Sequence, residues 1–308
     1  MADGAVTAIG LLGYGEAARA FRETLTGALP ELRFVAWDIK LDGPDGGTMR
    51  DLMAGEGVAP CDDAAGLGQA DLVISAVTAD QSLDAVRPLV PALGPGVIVI
   101  DVNSVSPGRK RATAALIEAT GARYADLAVM APVHPRGHRT PVLLAGDAGV
   151  ERFLDRADFD WSRAGAEVGA ATAIKMVRST FVKGLEAITV EALLAAERSG
   201  CREAVVASLA ASYPGLNLPD AAAYMLERTT THGARRAAEM HEVAATLDEL
   251  GLGGGLARAI AAVQAAQGRV GPGARPDQDL AGGLARVLAG RLADPKKEHR
   301  DVDPAIQA

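Results

Sequence analysis

The hydrophobic positions change their period once along the chain. Up to about residue 165, apolar runs of four to seven residues recur at 6–12, 33–38, 71–77, 97–103, 123–129 and 142–145, several of them nearly continuous. Runs of that length without polar alternation predict strands covered on both faces. Between them, 16–27, 48–54, 81–90 and 109–120 carry helix formers with a Gly, Pro or polar residue near an end. Strand, helix, strand in such units predicts a doubly wound parallel sheet. Beyond residue 165 the strand signal stops and apolar side chains return every three or four residues, as at Ile174, Val177, Phe181, Leu185 and Ile188. This predicts one long helix over 167–199, then helices over 202–212, 219–230, 234–250 and 256–267. The fold class expected is therefore α/β, a Rossmann-type doubly wound parallel sheet followed by an all-α C-terminal domain. The expected domains are 1–165 for dinucleotide binding and 166–308 for substrate binding and dimerisation. The stretch from Pro295, charged and with a second proline at Pro304, is expected to fray.

Composition narrows the partners. The chain is 49% hydrophobic, 4% aromatic and 23% charged, with a net charge of -8. An acidic balance offers no footprint for a polyanion, so nucleic acid and anionic membranes are excluded as expected partners. No apolar run reaches the ~20 residues that span a bilayer, and Met1 leads straight into a strand-like run without a leader pattern, so the expected location is the cytoplasm. Cys61 and Cys201 have no Cys or His at ligand spacing, and no metal site is expected. His134 and His138 are four apart, but Pro135 and Gly137 between them oppose the helix a metal pair needs; they read as loop histidines near a cofactor.

Candidate chemistry begins between the first strand and first helix. Gly13, Gly15 and Ala18 have the G-x-G-x-x-A form: a tight turn, room for the backbone to approach a pyrophosphate, and close packing of helix on strand. The helix N-terminus, starting at Glu16, faces the anion. Asp38 ends the second strand twenty residues beyond Ala18, where an acid accepts from adenosine ribose hydroxyls and repels a 2′-phosphate. NAD is thus expected, with NADP left open by Lys40. The plainer alternative is a glycine turn beside a solvated strand end.

Gly169, Ala171, Lys175 and Ser179 resemble the G-x-G-x-x-x-K-x-x-x-N signature of the 6-phosphogluconate and β-hydroxyacid dehydrogenases, with Ala171 for the second glycine and Ser179 for the asparagine. Asp101, Asn103, Ser104 and Pro107 resemble that family's D-x-S-T-x-x-P loop, with Asn103 and Ser104 at the two hydroxyl positions. Asp126 starts the counterpart of D-A-P-V-S-G-G, in which Met130, Ala131 and Pro132 replace the serine and glycines. Residues 231–243 resemble a helical C-terminal domain of unknown function found in one branch of these proteins. The resemblance implies an NAD(P)-dependent dehydrogenase acting on a small anionic hydroxyacid, and a homodimer. It implies Lys175 as general acid/base with Ser179 beside it, and cofactor contacts from Gly13, Gly15, Glu16, Ala18, Asp38, Val77, Thr78 and Asn103. Substrate contacts fall on Ser104, Arg178, Lys183 and His232.

Each of these positions also has a plainer reading. Lys175 could be a surface lysine of the helix, and Lys183 a solvated or interfacial one. A helix capped at Thr231 would explain His232, and Arg235, Arg236, Glu239 and Glu242 make an ordinary ladder of helical ion pairs. Tyr224 and Met225 read as core or interface. Two other functions stay open: an imine or enamine reductase, and a protein that senses a dinucleotide without turnover.

Overall fold

The computed structural model describes residues 6–218, 220–271 and 280–293. The expected fraying beyond Pro295 lies outside the described residues. The chain divides into two compact units, Met1–Met176 and Val177–Ala308.

The first unit is built on an eight-stranded sheet, counted among the described residues, in the order β3-β2-β1-β4-β5-β6-β7-β8. The strands are β1 (Ala8–Leu12), β2 (Arg33–Trp37), β3 (Val58–Pro60), β4 (Leu72–Ser75), β5 (Ile98–Asp101), β6 (Arg123–Val129), β7 (Val142–Gly146) and β8 (Trp161–Gly165). The first six are mutually parallel, and their order is that of the Rossmann sheet. Strand β7 departs from the expected parallel pattern: it lies antiparallel to β6, and β8 pairs parallel to β7. Strands β3 and β8 went unpredicted because each is an outer strand of the sheet, where only one edge is paired. Neither carries the apolar run of a doubly covered strand, β3 being three residues long and β8 reading Trp-Ser-Arg-Ala-Gly.

The crossovers are α1 (Glu16–Ala28), α2 (Gly46–Gly55), α3 (Ser82–Val86), α4 (Pro107–Glu118) and α5 (Glu151–Arg156). Helix α3 is shorter than the expected 81–90, since Pro88 and Pro91 withdraw amide donors and leave only a 3-10 turn at Val90–Ala92. Two apolar layers sandwich the sheet. One is centred on Ile9, Leu11, Phe21, Leu25, Ile74 and Leu127, and the other on Leu12, Val73, Val99, Ile117 and Tyr124.

Helix α6 (Ala170–Arg198) starts in the first unit and continues into the second, as the periodicity predicted. The second unit holds α7 (Arg202–Ser212), α8 (Asp220–Glu249), α9 (Gly255–Val270) and α10 (Leu280–Leu292). The two helices expected over 219–230 and 234–250 are one: Thr231 lies inside α8, so no helix is capped there. The sequence suggested a break because Gly233 is poor in a helix interior. The structure gives it a packing role, since a Cβ at Gly233 would stand 2.3 Å from the Gln264 carbonyl oxygen and 2.5 Å from the Gly268 amide nitrogen of α9. Two glycines facing each other let the backbones of α8 and α9 touch, which outweighs a helix-propensity cost of about 1 kcal/mol.

Candidate functional site

The glycine loop leaves β1 where the strand order reverses, between β1 and β4, the crevice in which open α/β sheets bind ligands. Gly13 has φ +85, and a Cβ there would sit 2.7 Å from both the Ala76 carbonyl oxygen and Val77 Cγ1. The loop therefore passes directly over the end of β4 and only glycine permits it. Gly15 differs: it is exposed, and its Cβ direction meets nothing within 4 Å. No packing among the described residues demands glycine there, which fits a position reserved for the close approach of a phosphate. Glu16 begins α1 and is exposed, and Ala18 is fully buried beneath the helix.

Asp38 is held by backbone amides. Its Oδ2 accepts from the Tyr14 amide at 2.8 Å and its Oδ1 from the Lys40 amide at 3.0 Å, which ties the end of β2 to the glycine loop. Tyr14 is buried and donates to Glu56 Oε2 at 2.6 Å, and Glu56 is also bound by Arg19 at 2.5 Å and Arg22 at 3.2 Å. Burial, followed by the Glu56 bond, pushes the Tyr14 phenol up to about 12. The Arg19 hydrogen bond holds Glu56 down at about 2.

Beyond β4, Thr78 is exposed, and the Val77 amide donates to Asn103 Oδ1 at 2.7 Å. Asn103 Nδ2 donates to Ser75 Oγ at 2.9 Å, so Asn103 bridges the ends of β4 and β5. Ser104 follows in the same loop, and Lys175 Nζ on α6 donates to its Oγ at 2.5 Å. The two residues singled out for proton handling and substrate contact in this unit are thus brought together, both half-buried. Gly169, with φ +98, supplies the carbonyl that accepts the first helical bond of α6, from Ala173, and lies against Pro107 of α4. Ala171, at the second glycine position of the motif, is fully buried with Ala128 and Ala145, where any larger side chain would crowd the sheet.

Beneath this pair lies a buried ionic cluster that sequence reasoning missed. The Lys110 ammonium, fully buried, contacts the Asp101 carbonyl oxygen at 2.6 Å, Asp101 Oδ1 at 2.9 Å and Asp126 Oδ1 at 3.2 Å. Tyr124 donates to Asp101 Oδ2 at 2.7 Å, and the Thr172 amide of α6 donates to Asp126 Oδ2 at 3.0 Å. Burial drives the Tyr124 phenol well above its usual value, with the Asp101 charge adding to it. The signal was present: Lys110, Ala114 and Ile117 fall at i, i+4 and i+7 and are all buried, which places a lysine on the apolar stripe of α4.

The residues expected beyond Met176 belong to the second unit. Arg178 is exposed on α6. Ser179 is buried and lies 3.4 Å from Lys183 Nζ, which also pairs with Glu239 at 2.5 Å. Burial lowers the Lys183 ammonium, with Glu239 opposing. Arg236 pairs with Glu186, and Arg235 reaches Glu239 at 3.4 Å, so part of the ladder expected on α8 is present. His232 is half-buried inside α8, Tyr224 is exposed, and Met225 packs against the Val190, Leu193 and Leu226 cluster. His138 is not near the glycine loop: it is buried, with Nδ1 2.7 Å from Thr24 Oγ1 and its ring 5.1 Å from Phe159. Burial lowers its pKa. It serves packing because Gly137, with φ +58, presses its turn onto α1, leaving no room for a Cβ. Among the described residues no cluster of three or more His, Cys, Asp or Glu could hold a metal, and no helix is long and apolar enough to cross a membrane.

Comparison with known proteins agrees with this architecture. Residues 196–267 match the family model DUF1932, a domain of unknown function. A conserved hypothetical protein of Sinorhizobium meliloti is 34% identical, covering 93% of this chain and 97% of that one at a TM-score of 0.72. A conserved protein of unknown function, described as structurally similar to 3-hydroxyacid dehydrogenases, is 29% identical over 84% of this chain and 96% of its own, at a TM-score of 0.65. Mycobacterium tuberculosis 3-hydroxyisobutyrate dehydrogenase with L-serine shares the fold at 18% identity, 91% and 99% coverage and a TM-score of 0.70. An imine reductase from Myxococcus stipitatus in complex with NADP+ shares it more loosely, at 18% identity, 92% and 99% coverage and a TM-score of 0.52. A 28.5 kDa protein of Methanothermus fervidus is 30% identical over 42% of this chain, and the match spans about half, 49%, of that relative's length. The fold is that of the 3-hydroxyacid dehydrogenases. The chain belongs to the family of the S. meliloti protein, 3-hydroxyisobutyrate dehydrogenase-like in fold with a DUF1932 domain in its helical half.

The Glu56 latch predicts an acid dependence. A carboxylate whose folded pKa is depressed contributes stability that is full above its unfolded value, about 4.5 here, and is lost as pH falls through about 2. Urea unfolding between pH of about 5 and 2 should therefore show a steeper loss for the native chain than for Glu56→Gln. Equal slopes would contradict the latch.

Proposed function

We propose that this protein is an NAD(P)-dependent oxidoreductase that interconverts a small anionic hydroxyacid and its carbonyl form, using NAD, with Lys175 as the proton-handling group. The observation that carries the reading is the joint geometry of the first unit: a glycine loop open at Gly15, an acid at the end of β2, and Lys175 hydrogen-bonded to Ser104. The residues fit the cofactor. Gly13, Gly15, Glu16 and Ala18 form the turn and helix start for the pyrophosphate. Asp38 retains acceptor lone pairs for ribose hydroxyls after its two backbone bonds, and Val77, Thr78 and Asn103 line the crevice beyond β4. Proteins of this fold described with NADP+ support a nicotinamide dinucleotide in general, and Asp38 supports NAD in particular.

Oxidation of an alcohol removes a hydride and a proton. A bound nicotinamide supplies the carbon that takes the hydride, or gives it back in reduction. Lys175 Nζ takes the hydroxyl proton in oxidation and returns it in reduction, and Ser104 Oγ, 2.5 Å away, orients that nitrogen and offers the substrate a hydroxyl contact. Ser179 is assigned with Lys175 to catalysis, and Arg178, Lys183 and His232 are the side chains we assign, with Ser104, to substrate contact. Retention of Lys175 favours hydroxyacid chemistry over imine reduction, in which no substrate hydroxyl has to lose a proton.

The same reading extends to assembly as a homodimer. Val177, Phe181 and Ile188 form a stripe along α6 and are 52%, 73% and 65% exposed. Large exposed apolar side chains in one row mark a protein contact, and a second copy is the occupant we assign. Light scattering at micromolar concentration should give the dimer mass for the native chain and the monomer mass for Phe181→Glu. A native monomer would refute the assignment.

Lys175→Ala tests the chemistry. Loss of a general acid/base typically costs about 10²–10⁴ in rate, so hydroxyacid-dependent reduction of NAD, followed by absorbance, should fall by that order. NAD affinity should change little, because Lys175 is absent from the phosphate loop. Full turnover in the variant would remove Lys175 from its role. Native turnover of cyclic imines in place of hydroxyacids would shift the function to imine reduction, and binding without any turnover would make the protein a sensor.

A further inference from the structure

Helix α6 has no capping side chain of its own. The residue before it is Gly169, and the amides of its first turn need acceptors from elsewhere. Asp126, at the centre of β6, supplies one: its Oδ2 accepts from the Thr172 amide at 3.0 Å. A carboxylate at a helix N-terminus is also favoured by the helix dipole. The other oxygen of Asp126 lies 3.2 Å from the Lys110 ammonium, whose remaining contacts, at 2.6 and 2.9 Å, are the carbonyl and Oδ1 of Asp101. Asp101 Oδ1 in turn accepts from the Asn103 amide at 2.8 Å, one residue before Ser104. The far end of that short loop is fixed as well, since the Ser106 hydroxyl accepts from the Arg109 amide and the Ser106 carbonyl from the Lys110 amide. Thr172 stands three residues before Lys175, on the neighbouring turn of the same helix face.

We infer that Asp126, Lys110 and Asp101 are positioning residues for the proposed reaction: one buried ion cluster grips both the first turn of α6 and the loop carrying Ser104, and so sets Lys175 Nζ against Ser104 Oγ. The inference rests on the reading of Lys175 as the proton-handling group. A cluster of this kind locates its partners sharply. The ammonium touches both carboxylates and the Asp101 carbonyl, Asp126 Oδ1 has the ion pair with Lys110 and no hydrogen bond besides, and a shift of either element would leave a charge unpaired in a dry interior. Displacement of a reacting group by about 1 Å can cost on the order of 10²-fold in rate, so the grip acts on turnover and not on cofactor affinity.

The test compares Asp126→Leu and Asp126→Glu in the full chain. The Leu variant removes the grip on Thr172 but leaves Lys110 and Asp101 as a neutral pair. The Glu variant keeps the charge and moves the carboxylate by one methylene. Two readouts are taken: kcat with hydroxyacid and NAD against KM for NAD, and the NMR signal of 13C-dimethylated Lys175, identified by its loss in Lys175→Arg. Asp126→Leu should lower kcat by roughly 10–100-fold with KM for NAD nearly unchanged, and should shift the Lys175 signal. Asp126→Glu should fall between the two, and it carries the test alone if the Leu variant does not fold. Native kcat together with an unshifted Lys175 signal in the folded variants would overturn the inference. If the native chain turns over no hydroxyacid, the proposed function fails, while the Lys175 signal still decides whether Asp126 positions that side chain.

Discussion

A buried ammonium between two buried carboxylates tolerates almost no displacement, and much of the first unit is arranged around that constraint. Transferring an ion from water into a protein interior costs several kcal/mol even after relaxation, so each member of the cluster must find all its partners or the fold pays heavily. Lys110 reaches from α4 to the end of β5 and the middle of β6, where Asp101 and Asp126 stand side by side in register. Tyr124 and the Asn103 amide also donate to Asp101, and the Thr172 amide donates to Asp126 Oδ2. These are the elements that end beneath the crevice, and the Ser104–Lys175 pair sits on the two segments the cluster holds.

The phosphate-loop side of the same crevice uses a different device. There the backbone does the work: Gly13 passes over β4 because it lacks a Cβ, and Asp38 is fastened by two amides. The Tyr14–Glu56–Arg19 latch pins the loop from behind while leaving Gly15 and Glu16 open. One side of the crevice is thus rigid through buried charge and the other through steric fit, and the chemistry proposed for the protein requires both. The second unit repeats the use of close backbone contact at Gly233 and Gly268, and buries paired charges at Lys183–Glu239 and Arg236–Glu186.

Much of this was legible in the sequence wherever one local signal was strong. The six strands read from apolar runs are present, as are the glycine loop, the acid at Asp38 and the long helix carrying Lys175. What escaped was decided by neighbours distant in the chain. The outer strands β3 and β8 have no apolar run to announce them, and the antiparallel turn into β7 is set by pairing with β6. Gly233 looked like a helix end because its packing partner is 35 residues away. Lys110 drew no reading, because the two carboxylates that neutralise it lie on strands elsewhere in the chain and read only as the first residues of loops. His138 was drawn toward the cofactor by sequence proximity to the family loop, while its real partners, Thr24 and Phe159, come from either side of it in the chain.

The central claim is that the crevice between β1 and β4 holds a nicotinamide dinucleotide through the glycine loop and Asp38. Titration calorimetry of the full chain with NAD and with NADP, repeated on Asp38→Ala, tests it most directly. The account predicts saturable binding of both with NAD the tighter, and a variant in which that preference shrinks or reverses. Absence of binding by either dinucleotide, or a preference for NADP that Asp38→Ala leaves untouched, would contradict it.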